Sequence, residues 1–174
     1  MAKEFGPAAF TAKLRKEILR NLGAYMTPQV AYQQTLGLET LSLRYEKATT
    51  TCLQLAQWLE RQSQVESVNY TGLVSNPFYK LSLAQFGERP GAMLTFNLAS
   101  REACFSFMNK LTLIRRATNL FDNKTLAIHP ASTIYGNFTP ELRKEMSVSE
   151  KTIRISVGLE DLEDLIQDFE QAMK

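Results

Sequence analysis

The sequence predicts an open α/β or α+β sandwich from residue 65 onward, with four or five strands, helices covering one face, and connector helices ahead of it. Three observations lead to this prediction. The 174 residues are 44% hydrophobic and 22% charged, as in an ordinary globular chain. A helical period runs through 28–62, and beyond it strand-like and helix-like segments alternate. About 35 residues is long for a globular helix, which favours a connector between two bodies.

Two predicted helices make up the connector. In the first, 7–22, apolar residues recur at every fourth position: Phe10, Leu14, Ile18 and Leu22. Gly23 is a typical stop, because glycine accepts the left-handed conformation at a helix end. Thr27 is a predicted cap for the second helix, with Pro28 at its first position and a bend near Gly37.

The remaining elements follow from local pattern and capping residues. Helices are predicted where Asn76, Ser100 and Asp161 precede apolar stripes. Short runs of β-type residues predict the strands, and 130–148 is expected to be mostly irregular, with a helical turn after Thr139. The predicted strands are 65–70, 92–98, 113–118, 125–129 and 153–157.

Composition excludes several classes of function. A net charge of +2 is too balanced for a nucleic-acid-binding face, and no apolar run reaches the ~20 residues of a membrane-spanning helix. No secretory h-region is visible at the start. Cys52 and Cys104 fit buried free thiols in a reducing compartment, so a cytoplasmic location is expected. With one histidine and no HExxH, no metal site is expected, and the usual glycine-rich phosphate loops are absent.

Arg154 is the most informative residue, because it interrupts an apolar strand. Such an arginine must lie at a sheet edge, pair with a carboxylate, or face a cleft. A cleft arginine can hold a substrate carboxylate through two parallel hydrogen bonds. Periodicity alone leaves the structural salt bridge as the more common alternative.

The polar stretch 119–133 is the second informative segment. It is predicted to form a loop at one end of the sheet, where binding residues are common, although its Asn, Asp, Ser and Thr side chains also suit turns and caps. His129, ahead of a proline, fits a hydrogen-bonded structural histidine better than a catalytic base.

Several stretches together resemble the C-terminal part of the cysteine/methionine-metabolism family of pyridoxal-phosphate enzymes. Their order and spacing match the family, and their combination is specific; they read LGLETLSLR (36–44), GAMLTF (91–96), KTLAIHPAST (124–133) and IRISVGLED (153–161). The stretch LRNLG (19–23) and the pair Asn119-Leu120 resemble the O-acetylhomoserine sulfhydrylase branch. The resemblance covers essentially the whole chain.

The resemblance implies the small, substrate-closing C-terminal domain of a fold-type I enzyme. In this family the large domain binds pyridoxal 5'-phosphate through a lysine, and in the sulfhydrylase branch sulfide or a thiol replaces the acetate of O-acetylhomoserine, giving homocysteine or methionine. The family's carboxylate-binding arginine falls on Arg154. A second contact falls on Asn119, with Leu120 beside it. Residues 1–35 then correspond to connector helices and 36–174 to the closing domain.

The resemblance also implies what the chain lacks. None of its lysines lies in the family's Ser-x-Thr-Lys context, so we expect no catalytic residue in this chain, a missing N-terminal cofactor-binding domain, and no activity alone. Whole family members are commonly homotetramers. Phe121, where the family usually has glycine, and the stretch 133–136 depart from the family pattern and leave the substrate open.

Two other hypotheses stay open at this point. One is a stand-alone regulatory module that binds an amino acid through Arg154 without chemistry. The other is an RNA-binding sandwich, which is disfavoured because Phe96 has no flanking Lys or Arg on its strand.

Overall fold

The fold is described from a computed structural model that covers residues 2–174. Met1, the first residue of the predicted connector, lies outside the described residues. The described chain falls into two units that divide between Thr40 and Leu41. Within the described part, no helix is both long and apolar enough to cross a bilayer.

The first unit is helical and has no buried residue of its own among residues whose burial is described. It begins with an almost continuous helical run that includes a 3₁₀ turn (Gly6–Ala8) and a π-helical stretch (Leu14–Leu19). Its α-helices are α1 (Ala2–Phe5), α2 (Ala9–Lys13), α3 (Arg20–Leu22) and α4 (Pro28–Glu39).

The signals that begin and end these helices are largely confirmed. Gly23 adopts φ +61° after α3, and Thr27 Oγ1 accepts the Val30 amide at 3.3 Å to cap α4. The bend expected near Gly37 has its counterpart three residues further along the chain. The long predicted helix is interrupted at Thr40, where φ −104° and ψ 4° end α4.

The second unit contains the sheet and its covering helices. Its helices are α5 (Leu41–Leu59), α6 (Tyr79–Phe86), α7 (Arg101–Lys110), α8 (Pro140–Glu145) and α9 (Leu162–Met173). Its strands are β1 (Ser67–Asn69), β2 (Met93–Asn97), β3 (Arg115–Arg116), β4 (Leu126–Ile128) and β5 (Thr152–Ser156).

The five strands form one mixed sheet in the order β1-β2-β5-β4-β3. All neighbouring pairs are antiparallel except β3 with β4. The last long strand in sequence, β5, therefore lies at the centre of the sheet, and Arg154 in it is opposite Thr95 on one side and Ile128 on the other.

One face of the sheet carries the core. Because side chains alternate along a strand, Leu94 and Phe96 of β2 point to the same side as Ile153 and Ile155 of β5, and all four are almost fully buried. They pack in one apolar cluster with buried residues of α5, α7 and α9. The expected sheet with helices on one face is confirmed, and the opposite face carries Arg154.

The helices are fixed by contacts that bring together distant parts of the chain. Asp168 of α9 is buried, and its carboxylate accepts the amides of Thr112, Leu113 and Ile114 at 2.8–3.1 Å.

Ser100 caps α7 as predicted, with its Oγ accepting the Ala103 amide at 3.2 Å. Asp161 occupies the cap position of α9 but makes no side-chain cap bond. It pairs with Lys47 at 2.7 Å instead.

Candidate functional site

Arg154 lies in the central strand, on the face of the sheet opposite the core helices. It is half-buried, and both flanking residues, Ile153 and Ile155, are fully buried on the other side. The edge position considered from the sequence is therefore wrong. An arginine in the middle of a sheet must be satisfied by something that reaches its open face.

The guanidinium of Arg154 is poorly satisfied within the described chain. Its Nε is buried and has no hydrogen-bond partner in the part of the chain that the structure describes, and Nη2 reaches the Asn119 carbonyl oxygen only at 3.5 Å. Among described residues, no carboxylate lies within 4.0 Å of it. Burial lowers the pKa of Arg154, opposed by the nearby Tyr135, and the group remains a cation at neutral pH.

Asn119 and Leu120 lie close to Arg154 on an exposed loop. The Asn119 side chain is engaged locally: Nδ2 donates to Asp122 Oδ2 at 2.9 Å, and Oδ1 accepts the Leu120 amide at 2.9 Å. Hydrogen bonds from the Lys124 amide and from Asn119 lower the pKa of Asp122. The structure thus brings Asn119 to Arg154 through its backbone carbonyl, while its amide group turns toward Asp122.

Phe121 follows in the same loop with an unusual backbone. Its φ is +56°, in the left-handed region that favours glycine. Its amide donates to Ser156 Oγ at 3.1 Å, and its ring stacks on Tyr45 with centroids 5.4 Å apart. Ser156 is two residues beyond Arg154 on β5, so this bond ties the loop to the strand that carries the arginine.

A second attachment of the loop was missed from the sequence. Thr125 is fully buried, its amide and hydroxyl donate to the Glu160 carboxylate at 2.8 and 2.7 Å, and its hydroxyl accepts the Gly158 amide at 2.9 Å. A Cβ on Gly158 would lie 2.5–2.6 Å from backbone atoms of 123–125. Glycine and glutamate in the stretch VGLED therefore fasten the loop against the end of β5. Their spacing alone did not reveal partners 33 to 35 residues away.

His129 has a structural place, as its sequence context favours. It is 1% exposed, its Nε2 lies 2.8 Å from the Glu150 carbonyl oxygen, and its Nδ1 lies 2.8 Å from Ser132 Oγ. Because a carbonyl only accepts, Nε2 must carry the proton of this bond. Within residues 2–174, no cluster of three or more His, Cys, Asp or Glu is arranged to hold a metal ion.

Comparison with solved structures defines the class of protein. A structure from Wolinella succinogenes, described in work on sulfur transfer by O-acetylhomoserine sulfhydrylase, superposes with a TM-score of 0.82 at 42% identity, over 99% of this chain and 46% of that one. A Campylobacter jejuni protein, described as a candidate O-acetylhomoserine (thiol)-lyase and carrying N'-pyridoxyl-lysine-5'-monophosphate, gives 0.90 at 34% identity, over 98% and 41%. These relatives are pyridoxal-phosphate enzymes of fold type I.

The family follows from the sequence match. The model of the Cys/Met metabolism PLP-dependent enzymes matches residues 7–174, and the chain belongs to this family. O-acetyl-L-homoserine sulfhydrylase 1 of Thermus thermophilus is 42% identical over 174 residues, 99% of this chain and 41% of the relative. L-methionine gamma-lyase of Pseudomonas putida is 40% identical over 171 residues, 97% and 43%.

These comparisons confirm the resemblance to the O-acetylhomoserine sulfhydrylase branch and to a pyridoxal-phosphate-dependent family. The chain spans about two fifths of the length of these curated relatives.

Proposed function

We propose that this chain is the substrate-closing domain of an O-acetylhomoserine sulfhydrylase-like enzyme, and that it supplies the site for the substrate's α-carboxylate. The whole enzyme would exchange the acetate of O-acetylhomoserine for sulfide or a thiol, giving homocysteine or methionine. The family and the names of its relatives support this reaction. The observation that carries the carboxylate site is the buried Nε of Arg154, which has no hydrogen-bond partner among residues 2–174 and lies on the face of the sheet opposite the core.

That unpartnered donor fits a carboxylate ligand. A buried donor without an acceptor costs about 1–3 kcal/mol, which an incoming carboxylate recovers by accepting from Nε and Nη2 together. Partial burial of the guanidinium also weakens competition from water. Arg154 would thereby fix the amino-acid end of the substrate and leave its side chain free to point to the reacting groups.

Asn119 and Leu120 would complete the carboxylate site after a small local change. The Asn119 Nδ2 and the Leu120 amide are both bonded within the loop, to Asp122 and to Asn119 Oδ1. Rotation of the Asn119 side chain releases both donors toward a ligand held by Arg154. The two residues would thus orient the carboxylate, while Arg154 supplies the charge.

The cofactor itself fits a neighbouring domain better than this chain. When bound, pyridoxal phosphate withdraws electrons from the substrate's α-carbon. The chain's lysines lack the family's cofactor context, which supports binding of the carboxylate by this chain and the cofactor's chemistry in a neighbouring domain.

We propose further that 1–35 are connector helices and 36–174 the closing domain, that an N-terminal cofactor-binding domain completes the enzyme as a homotetramer, and that the chain alone is inactive. Borohydride reduction of the chain with pyridoxal phosphate tests the last point. Specific labelling of one lysine, together with turnover of O-acetylhomoserine, would contradict it.

Substitution at Arg154 tests the carboxylate site. In NMR titrations of the chain with L-methionine, we expect a dissociation constant on the order of 1 mM, raised about tenfold or more in Arg154→Gln. Arg101→Gln removes the same charge from α7 and should bind as the unchanged chain does. Equal affinities for Arg154→Gln and Arg101→Gln would disprove the assignment. Micromolar affinity that depends on Arg154 would instead support a stand-alone amino-acid-binding module.

A further inference from the structure

The backbone conformation of Phe121 is unfavourable for an aromatic residue, so other contacts must stabilise it. A non-glycine residue at φ +56° brings its Cβ close to backbone atoms, and a bulky aromatic ring gains nothing locally from that geometry. Strained residues persist where surrounding contacts determine them, and they cluster at functional sites. The contacts of Phe121 therefore indicate what its position serves.

The ring of Phe121 is held by helix α5. It lies nearly parallel to the Tyr45 ring, with an interplanar angle of 24° and centroids 5.4 Å apart. Tyr45 is itself fixed, because its hydroxyl donates to the Arg89 carbonyl oxygen at 2.5 Å, and the Arg89 guanidinium pairs with Glu46 one residue along the helix. The stack thus rests on a helix and on the segment that enters β2.

The backbone of Phe121 is held by strand β5. Its amide donates to Ser156 Oγ at 3.1 Å, and Ser156 is 2% exposed and on the same face as Arg154. Two residues before Phe121, the Asn119 carbonyl faces Arg154 Nη2. The loop is therefore held from two sides at the residue that follows the proposed carboxylate ligands.

The ring also limits space beside the site. Phe121 borders a cavity of about 250 Å³ whose wall includes Leu120, Met93 and Ser156. Without the ring, the loop loses its contact with α5 and gains room to move into this cavity. Contact with α5 then no longer fixes the position of Asn119 and Leu120 relative to Arg154.

We propose that Tyr45 and Phe121 form an aromatic brace, and that both are positioning residues for the α-carboxylate site. The brace holds the loop 119–122 so that the Asn119 carbonyl faces Arg154 and the Asn119 and Leu120 donors, bonded within the loop, stay beside it. This inference rests on the proposed function for its purpose, although the brace itself is a property of the ligand-free chain.

Amide hydrogen exchange in the ligand-free chain tests the brace directly. In Tyr45→Leu, which removes the stack, we expect exchange of the Phe121 amide to rise about tenfold. Tyr45→Phe keeps the ring and should stay within about threefold of the unchanged chain. Trp58→Leu is the control. Trp58 lies on α5, as Tyr45 does, but its ring contacts Phe169, so this change should leave the exchange rate of the Phe121 amide unaltered. An unchanged exchange rate in Tyr45→Leu, or an equal rise in Trp58→Leu, would overturn the brace.

A titration with L-methionine, followed at the Arg154 Nε–H signal, separates the brace from the carboxylate site. We expect Tyr45→Leu and Phe121→Gly to raise the dissociation constant about fivefold, while Tyr45→Phe and Phe121→Tyr bind normally. Normal binding by both disruptive variants would overturn the positioning role. No shift of this signal in the unchanged chain would contradict the proposed function and with it the positioning role, while the exchange data still decide whether the brace exists. If Phe121→Gly fails to fold, the Tyr45 pair gives the same answer.

Discussion

At the scale of single residues, the buried Asp168 and the half-buried Arg154 differ in how their polar atoms are satisfied. Asp168 receives at least four donors, three of them backbone amides, and is satisfied within the described chain. The Nε–H of Arg154, itself a donor, has no acceptor there. Because native proteins rarely leave buried donors unpaired, the contrast supports the proposal that Arg154 is available to a ligand, whereas Asp168 serves the fold.

The pKa of the Asp168 carboxyl predicts how the stability of the fold depends on pH. Burial raises the pKa of this carboxyl, but hydrogen bonds from Ile114, Thr112 and Gln171 outweigh burial, so the pKa lies below its usual value. A carboxyl whose pKa is lower in the folded than in the unfolded chain stabilises the fold at pH values above its unfolded pKa, about 3.9. This contribution to the free energy of unfolding is lost as the pH falls through the folded pKa.

Urea unfolding of Asp168→Asn measures this contribution. We expect a loss of about 1–3 kcal/mol at pH 7, and the difference from the unchanged chain should shrink as the pH falls below about 4. Asp164→Asn, an exposed position on the same helix, should change stability by less than about 0.5 kcal/mol. A difference that stays constant between pH 7 and pH 3 would refute the role of this carboxylate.

At the scale of elements, hydrogen bonds between residues close in sequence could be predicted, whereas those between residues far apart in sequence could not. Thr27 and Ser100 were read correctly as caps because their partners lie three residues ahead. Asp161 was misread, since Lys47, 114 residues away in sequence, takes its carboxylate. The resemblance pointed to Arg154 and Asn119, whereas nothing in the local pattern showed that the Asn119 amide bonds to Asp122.

The attachment of the loop to the end of β5 gives a prediction at this scale. Gly158→Ala places a methyl group against the backbone of Asn123 and Lys124, which cannot move without breaking the Thr125–Glu160 bonds. We expect a loss of about 1–3 kcal/mol in thermal or urea unfolding. Gly37→Ala, where a Cβ meets nothing within 4 Å, makes the same change inside α4 and should not destabilise the chain. Equal stability of both variants would contradict the close approach at Gly158.

At the scale of the whole molecule, the two units differ in whether they bury a core. Residues 41–174 enclose the apolar cluster around the sheet, whereas 2–40 bury no residue of described burial and expose large apolar side chains. These include Phe10, Leu22, Tyr25, Tyr32 and Leu38, each more than 60% exposed. Exposed apolar surface of this extent is unusual for an isolated protein and favours association.

Light scattering on two lengths of chain tests that expectation. We expect the full 174 residues to associate at high concentration and a chain of residues 41–174 to stay monomeric with a cooperative unfolding transition. Replacing Phe10, Leu14, Ile18 and Leu22 by serine in the full chain should also reduce association, because it removes the apolar stripe of the first helical run. A 174-residue chain that stays monomeric at millimolar concentration would contradict the prediction.

The central claim, that Arg154 binds the α-carboxylate of an amino-acid substrate, is tested most directly by two matched ligands. L-Methionine and L-methioninol differ in the carboxylate, which the second ligand replaces by an alcohol. Titrated into the unchanged chain, L-methionine should shift the Arg154 Nε–H signal saturably, and L-methioninol should leave it in place. Equal shifts by the two ligands, or none by L-methionine, would contradict the account.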